Sequence, residues 1–272
     1  MFNETIQAIG SASCAKSNAA KVSPLRYITA SMLAGGFVGL GIILIFSIGA
    51  PFGEVSSPAV KILMGVSFGI ALSLVIMAGS ELFTGLNMVA SIGVVTKKIT
   101  LKDLSLLWIL SYIGNLAGSL LIAFFAVSGG VLKNPVFHKF INDIASVKMN
   151  APAADLFFKA VLCNILVCLA VWLSFKLKEE IAKLVMIFWC LFAFISSGYE
   201  HSIANMTLLS IPLLGTPLDT VTWAGFARNI GIVSLGNIVG GLLIGLAYTY
   251  ISIVPEKNRK DGAEHRVISG NT

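Results

Sequence analysis

Two stretches of this chain nearly repeat each other: Gly114-Asn115-Leu116-Ala117-Gly118-Ser119-Leu120-Leu121-Ile122 and Gly236-Asn237-Ile238-Val239-Gly240-Gly241-Leu242-Leu243-Ile244. They lie 122 residues apart, and both sit inside long uncharged runs. Upstream of each comes a second match. Ser80-Glu81 is followed by Asn87-Met88, and Tyr199-Glu200 by Asn205-Met206. Two matched segments in the same order define an internal repeat.

The runs around the two glutamates are unusual. Residues 62–96 and 184–218 are each 35 residues long, and each carries one charge, Glu81 or Glu200. A bilayer core needs about 20 apolar helical residues, so 35 exceeds a single straight crossing. Both runs are expected to be helices broken near the middle, with Gly79, Gly85 and Gly198 supplying backbone freedom. A carboxylate in hydrocarbon costs about 2.5–3.5 kcal/mol or more. Glu81 and Glu200 are therefore expected to cap the breaks, accepting hydrogen bonds from the backbone N–H groups freed there. Asn115 and Asn237, repeated in both halves, are expected to bond broken-helix backbone too.

The composition agrees with a membrane solvent. Of the 272 residues 56% are hydrophobic and 12% charged, about half the charge of a soluble domain. Hydropathy and turn signals give six spans, roughly 28–51, 59–96, 105–130, 155–178, 183–212 and 223–254, within one six-span transmembrane domain at 27–255. Residues 1–26 precede it as a segment able to form an interfacial helix with Phe2, Ile6 and Ile9 on one side, and 256–272 follow as a tail expected to be disordered. No cleavable signal peptide is recognised in residues 1–26.

Three spans per half is an odd number, so the second half enters the membrane from the opposite side and the repeat is inverted. Thirteen of the 19 basic residues fall in the N-terminal segment, loops 2–3 and 4–5 and the tail. By the positive-inside rule both termini are expected to be cytoplasmic, in an inner membrane. The +6 balance thus reads as topology rather than as nucleic-acid binding. The four cysteines form no CxxC and no metal-ligand spacing, and no HExxH, GxSxG or P-loop pattern occurs. No metal, cofactor or enzymatic activity is expected. Each half-helix beyond a break would point an N-terminus, worth about half a positive charge, at the protein centre. Two such ends favour an anion. His201 is the one histidine inside a span, beside a break, and can donate a hydrogen bond or a proton.

The residues Ala78-Gly79-Ser80-Glu81-Leu82-Phe83-Thr84-Gly85, Gly114-Asn115, Lys159-Ala160-Val161-Leu162-Cys163-Asn164 with Val167, and Ser197-Gly198-Tyr199-Glu200-His201-Ser202-Ile203-Ala204-Asn205-Met206 resemble the formate/nitrite transporter family over about 25–255. The resemblance is nearest to its nitrite-channel and hydrosulfide-channel branches. It implies a homopentamer of aquaporin-like six-helix protomers, each with a pore for small monovalent anions such as formate, nitrite or hydrosulfide. By family position Phe68, Leu72, Leu82, Phe83, Val167 and Phe194 would line the narrow points. Thr84 with His201, joined by Lys148 and Asn164, would form the central polar group. Lys148 is expected to hold Asn164 and His201 from the outer side. Two other mechanisms remain open on the sequence: a proton-linked weak-acid transporter using His201 as donor, and an aquaporin-like channel for neutral solutes.

Overall fold

The computed structural model describes residues 2–252, so the tail at 256–272 lies outside the described residues. Those residues are all-helical: α1 (Asn3–Val22), α2 (Pro24–Glu54), α3 (Val60–Ser67), α4 (Gly69–Met77), α5 (Phe83–Val95), α6 (Leu101–Ser128), α7 (Pro135–Asn150), α8 (Ala153–Lys176), α9 (Glu180–Ser196), α10 (Ser202–Leu214) and α11 (Trp223–Ser252). Five stretches are long and apolar enough to cross a membrane: α2, α3 with α4, α6, α8 and α11. The apolar helices α5 and α10 are shorter. Start signals are local. Thr100 and Asp103 form a reciprocal capping box on α6, and Pro24 and Pro135 open α2 and α7, where a missing N–H is harmless.

The order of elements repeats. A short helix (α1 or α7), a long one (α2 or α8), an interrupted segment (α3–α5 or α9–α10) and another long one (α6 or α11) follow in each half. Within each half the two long helices cross closely, and the repeated glycines permit it. A Cβ on Gly118 would fall on the Met32 carbonyl, and one on its counterpart Gly240 on the Val161 carbonyl. Small residues let backbones meet where lipid offers no hydrophobic drive between helices. Between the halves, Tyr112 and Ser234, themselves 122 residues apart, touch through their hydroxyls at 3.1 Å.

Two helices fall outside the six expected spans. The N-terminal segment folds as α1, which buries Ile6 and Ile9 across the end of the bundle where α2 and α6 start. Phe2 anchors it edge-on to the stacked rings of Trp172 and Tyr248, at 6.0 and 5.6 Å. The connection after α6 folds as α7 at the opposite end, where the Phe140 ring lies against Gly49 and Gly53 near the end of α2.

The two breaks are built alike. Gly79 and Gly198 adopt left-handed φ of +80° and +70°, a region glycine enters without the Cβ penalty. The next amide closes the preceding helix with a six-to-one bond, Ser80 N–H to Val75 O in one half and Tyr199 N–H to Phe194 O in the other, both 3.0 Å. Leu82 and His201 are then extended, at φ/ψ −100°/121° and −115°/116°, before the next helix starts. Gly85 plays no part in this, contrary to expectation. It lies one turn into α5 with negative φ, facing Val171.

Candidate functional site

The polar groups of the breaks are satisfied by two asparagines rather than by the glutamates. Asn115 Oδ1 accepts from Phe83 N–H at 2.9 Å, while its Nδ2 donates to the carbonyls of Glu81 (2.9 Å) and Ser31 (2.7 Å). Asn237 repeats the set: Ser202 N–H donates to Oδ1 at 2.9 Å, and Nδ2 donates to the carbonyls of Glu200 (3.0 Å) and Ala160 (2.8 Å). The first amides of α5 and α10 are thereby fixed to the helices beside them.

The carboxylates were expected to take those amides and instead pair with lysines. Glu81 accepts from Lys16 Nζ on α1 at 2.5 Å and from the Tyr27 hydroxyl at 3.2 Å. Glu200 accepts from Lys148 Nζ on α7 with both oxygens, each at 2.7 Å, and from Asn205 Nδ2 at 2.7 Å. The physical reason is charge: an ammonium compensates a carboxylate in low dielectric where a backbone dipole does so only in part. Lys148 consequently does not hold Asn164 or His201. It reaches the Glu200 carboxylate, and its charge is balanced there.

Thr84, His201 and Asn164 do come together. Thr84 Oγ1 lies 3.0 Å from His201 Nε2. The other ring nitrogen, Nδ1, accepts the Ala204 N–H at 3.1 Å and so caps α10. A neutral imidazole that accepts at Nδ1 carries its proton on Nε2. His201 therefore donates to the Thr84 oxygen, and the Thr84 hydroxyl proton remains for another acceptor. Behind them, the Thr84 carbonyl accepts from Asn164 Nδ2 at 3.1 Å and from the Cys168 thiol at 3.5 Å. Asn164 Nδ2 also donates to the Asn237 carbonyl at 2.5 Å, tying the start of α5 to α11.

Five of the six apolar residues expected at narrow points, Phe68, Leu72, Leu82, Val167 and Phe194, surround one chamber of about 10 Å³ together with His201. That volume holds about one water molecule. Phe194 stacks on the His201 ring (5.9 Å) and meets Phe68 edge-on (5.7 Å). Phe83 is the exception. Its ring turns toward α6 and packs on Tyr112 at 5.0 Å and Trp108 at 6.3 Å, because the first helical residue points away from its extended neighbour Leu82. Leu72 and Leu82 also line a second cavity of about 280 Å³ toward the α1 end, rimmed by Lys16, Ser80, Glu81 and Ser174. They form the wall between a wide polar-rimmed cup and the tight chamber.

Sequence reasoning missed Lys16, Tyr27, Cys168 and Asn229 as members of these networks. No spacing signal could have found them, since each meets its partner across elements distant in the chain. Among the described residues no three His, Cys, Asp or Glu side chains converge as a metal would require.

A helical membrane bundle whose interrupted segments bring hydrogen-bond donors to a narrow apolar chamber has the build of a multi-pass transport protein. Comparison with known proteins makes the class specific. The sequence model of the formate/nitrite transporter family matches residues 3–251. The nitrite transporter NirC of Escherichia coli (strain K12) is 43% identical over 267 residues, covering 95% of each chain. The formate channel BtFdhC of Bacillus thuringiensis is 33% identical over 218 residues, 79% of this chain and 83% of that protein. Among solved structures, one described as an FNT family ion channel superposes with a TM-score of 0.86 at 40% identity, over 93% of this chain and 100% of that one. A pentameric formate channel with formate bound superposes with a TM-score of 0.74 at 27% identity, over 86% and 98%. The chain belongs to the formate/nitrite transporter family.

Proposed function

We propose that this chain is a channel for small monovalent anions, of which nitrite, formate and hydrosulfide are the candidates, with one pore in each protomer of a homopentamer. In this reading α2, α3–α5, α6, α8, α9–α10 and α11 make six crossings arranged as an inverted 3+3 repeat, with both termini on the cytoplasmic face of the inner membrane. The duplicated hydrogen bonds of Asn115 and Asn237 support the repeat. The likeness to a pentameric formate channel and to a nitrite transporter supports the assembly and the substrates.

The observation that carries the reading is the Thr84–His201 contact at the edge of the chamber. A small anion stripped of water forfeits tens of kcal/mol of hydration by Born estimates, so fixed donors must replace that water. The Thr84 hydroxyl, oriented and polarised by the His201 Nε2–H that its oxygen accepts, and the N-termini of α5 and α10 supply them. Phe68, Phe194, Leu72, Leu82 and Val167 leave no room for a hydrated ion, and apolar rings of this kind exclude water. The rival mechanism, proton donation by His201, needs a doubly protonated ring at some stage. That would set an Nδ1–H against the Ala204 N–H and break the α10 cap, so we favour passive conduction. Nitrite uptake into proteoliposomes tests the assignment: Thr84→Val and His201→Leu should each cut flux at least about tenfold, the worth of one lost buried hydrogen bond. Unaltered flux in both variants would refute it. Flux that is electrically silent and steep in pH would instead support the proton-linked mechanism, and glycerol permeation without anion uptake the neutral-solute one.

A further inference from the structure

At the α7 end four side chains close a ring. Lys148 Nζ donates to Glu200 Oε1 and Oε2, both at 2.7 Å. Asn205 Nδ2 donates to Glu200 Oε2 at 2.7 Å and to Asn229 Oδ1 at 2.9 Å. Asn229 Nδ2 donates to the backbone carbonyl of Lys148 at 2.8 Å, which completes the circuit. The orientations are mutually forced. Asn205 must turn its nitrogen to two acceptors, so Asn229 must present oxygen to Asn205 and nitrogen to the carbonyl. Asn205 and Asn229 are buried and Glu200 is 5% exposed. The neighbouring Arg228 adds two bonds of the same kind, to the carbonyls of Met149 (3.1 Å) and Ala151 (2.9 Å). Together they hold the last turn of α7, which a helix otherwise leaves with unpaired carbonyls.

The α1 end has no such circuit. Glu81 takes Lys16 and the Tyr27 hydroxyl, but in the register of the two halves Leu86 stands where Asn205 does and Leu107 where Asn229 does, so no amide pair extends the contact. The ring is therefore not a by-product of the repeat but a feature of one half, and Asn229 is the member that joins α11 to it.

We propose that Asn229 is a positioning residue for anion entry at the α7 end: it fixes the backbone of Lys148, and through Asn205 the Glu200 carboxylate, so that the one ammonium N–H not given to Glu200 stays available to an arriving small anion. The proposal rests on the anion-channel reading above and assigns to it a residue that never touches the anion. Replacing Asn229 with leucine keeps the volume and removes both bonds. Lys148 then keeps its charge and loses its place.

The test uses the full chain in proteoliposomes, with sodium nitrite as the probe. Asn229→Leu should raise the nitrite concentration for half-maximal flux about tenfold with little change in the maximum, as expected for one buried bond of a charged network. In a Lys148→Met background the same substitution should change neither quantity, because its target is gone. An equal loss in both backgrounds, or an unshifted half-saturation, overturns the proposal. A second readout does not depend on conduction: modification of Lys148 by acetic anhydride, followed by mass spectrometry, should be several-fold faster in Asn229→Leu than in the wild type. If the wild type passes no nitrite, the channel reading fails while the labelling still decides the positioning role, and unchanged labelling overturns it. Should Asn229→Leu not elute from size exclusion like the wild type, Asn229→Ser, too short to span Asn205 and the carbonyl, takes its place in both measurements.

Discussion

Replacing Asn237 with leucine removes three bonds at one stroke, those to Ser202 N–H, Glu200 O and Ala160 O. Ala160 lies inside α8, so its carbonyl keeps the helical partner four residues on. The Ser202 N–H and the Glu200 carbonyl keep nothing, since they stand at the interruption itself. An orphaned buried backbone group costs about 1–3 kcal/mol, and bonds between membrane helices measured by double-mutant cycles average about 0.6 kcal/mol. Two orphans weighed between those limits give a loss of about 2–4 kcal/mol. At about 2–4 °C per kcal/mol for a chain of this size, thermal unfolding in detergent should fall by about 5–15 °C. Because Asn115 makes the same three kinds of bond, Asn115→Leu should fall by a similar amount. Asn18→Ala serves as the control, its amide meeting only the Cys14 sulfur at 3.8 Å on an exposed face, and should shift the midpoint by less than about 2 °C. The reasoning is refuted if either leucine variant unfolds within 2 °C of the wild type, or if one is several times more damaging than the other.

Two further outcomes follow from packing. Gly118→Ala sets a methyl on the Met32 carbonyl and should abolish the monodisperse peak in size exclusion, whereas Gly231→Ala, with nothing near the added carbon, should match or exceed the wild type by up to about 1 kcal/mol in thermal stability. Phe2→Ala removes the ring held by Trp172, Tyr248 and the Lys176 ammonium 5.0 Å above it; trypsin should then cut at Lys16 and Lys21 several-fold faster, and an unchanged cleavage rate would show that α1 is held by its other contacts alone.

What could be read from the chain and what could not divide along a physical line. Asn115 and Asn237 announce themselves because the same residue recurs in the same local context, and a repeated context implies a repeated environment. The breaks announce themselves because a charge in a 35-residue apolar run has few ways to be accommodated. The partners of Glu81 and Glu200 do not, since Lys16 and Lys148 reach them from helices 65 and 52 residues away. Helix α7 was hidden by its mixed composition. Its apolar residues Phe137, Ile141, Ala145 and Met149 face the bundle, but they are too few to register as a crossing. Phe83 misled because family position assigns a residue to a neighbourhood, whereas the direction of its ring depends on a single extended residue before it.

The connection between α10 and α11 holds one more consequence. From α5 to α6 the chain uses residues 96–100, and from α10 to α11 it uses residues 215–222, three more. That surplus accounts for the change of register between the halves, from 119 residues at the two glutamates to 122 at the two asparagines. The longer strip is laced to α7: Asn142 accepts from Leu218 N–H at 3.1 Å, Asn150 donates to Thr220 O at 3.1 Å, and Ser146 meets the Thr220 hydroxyl at 2.7 Å. The three extra residues of the second half are thus tied down across one end of the bundle. The first half turns over in five residues at the corresponding place, so the two ends of the bundle, laid out in the same order of elements, are closed by unequal lengths of chain.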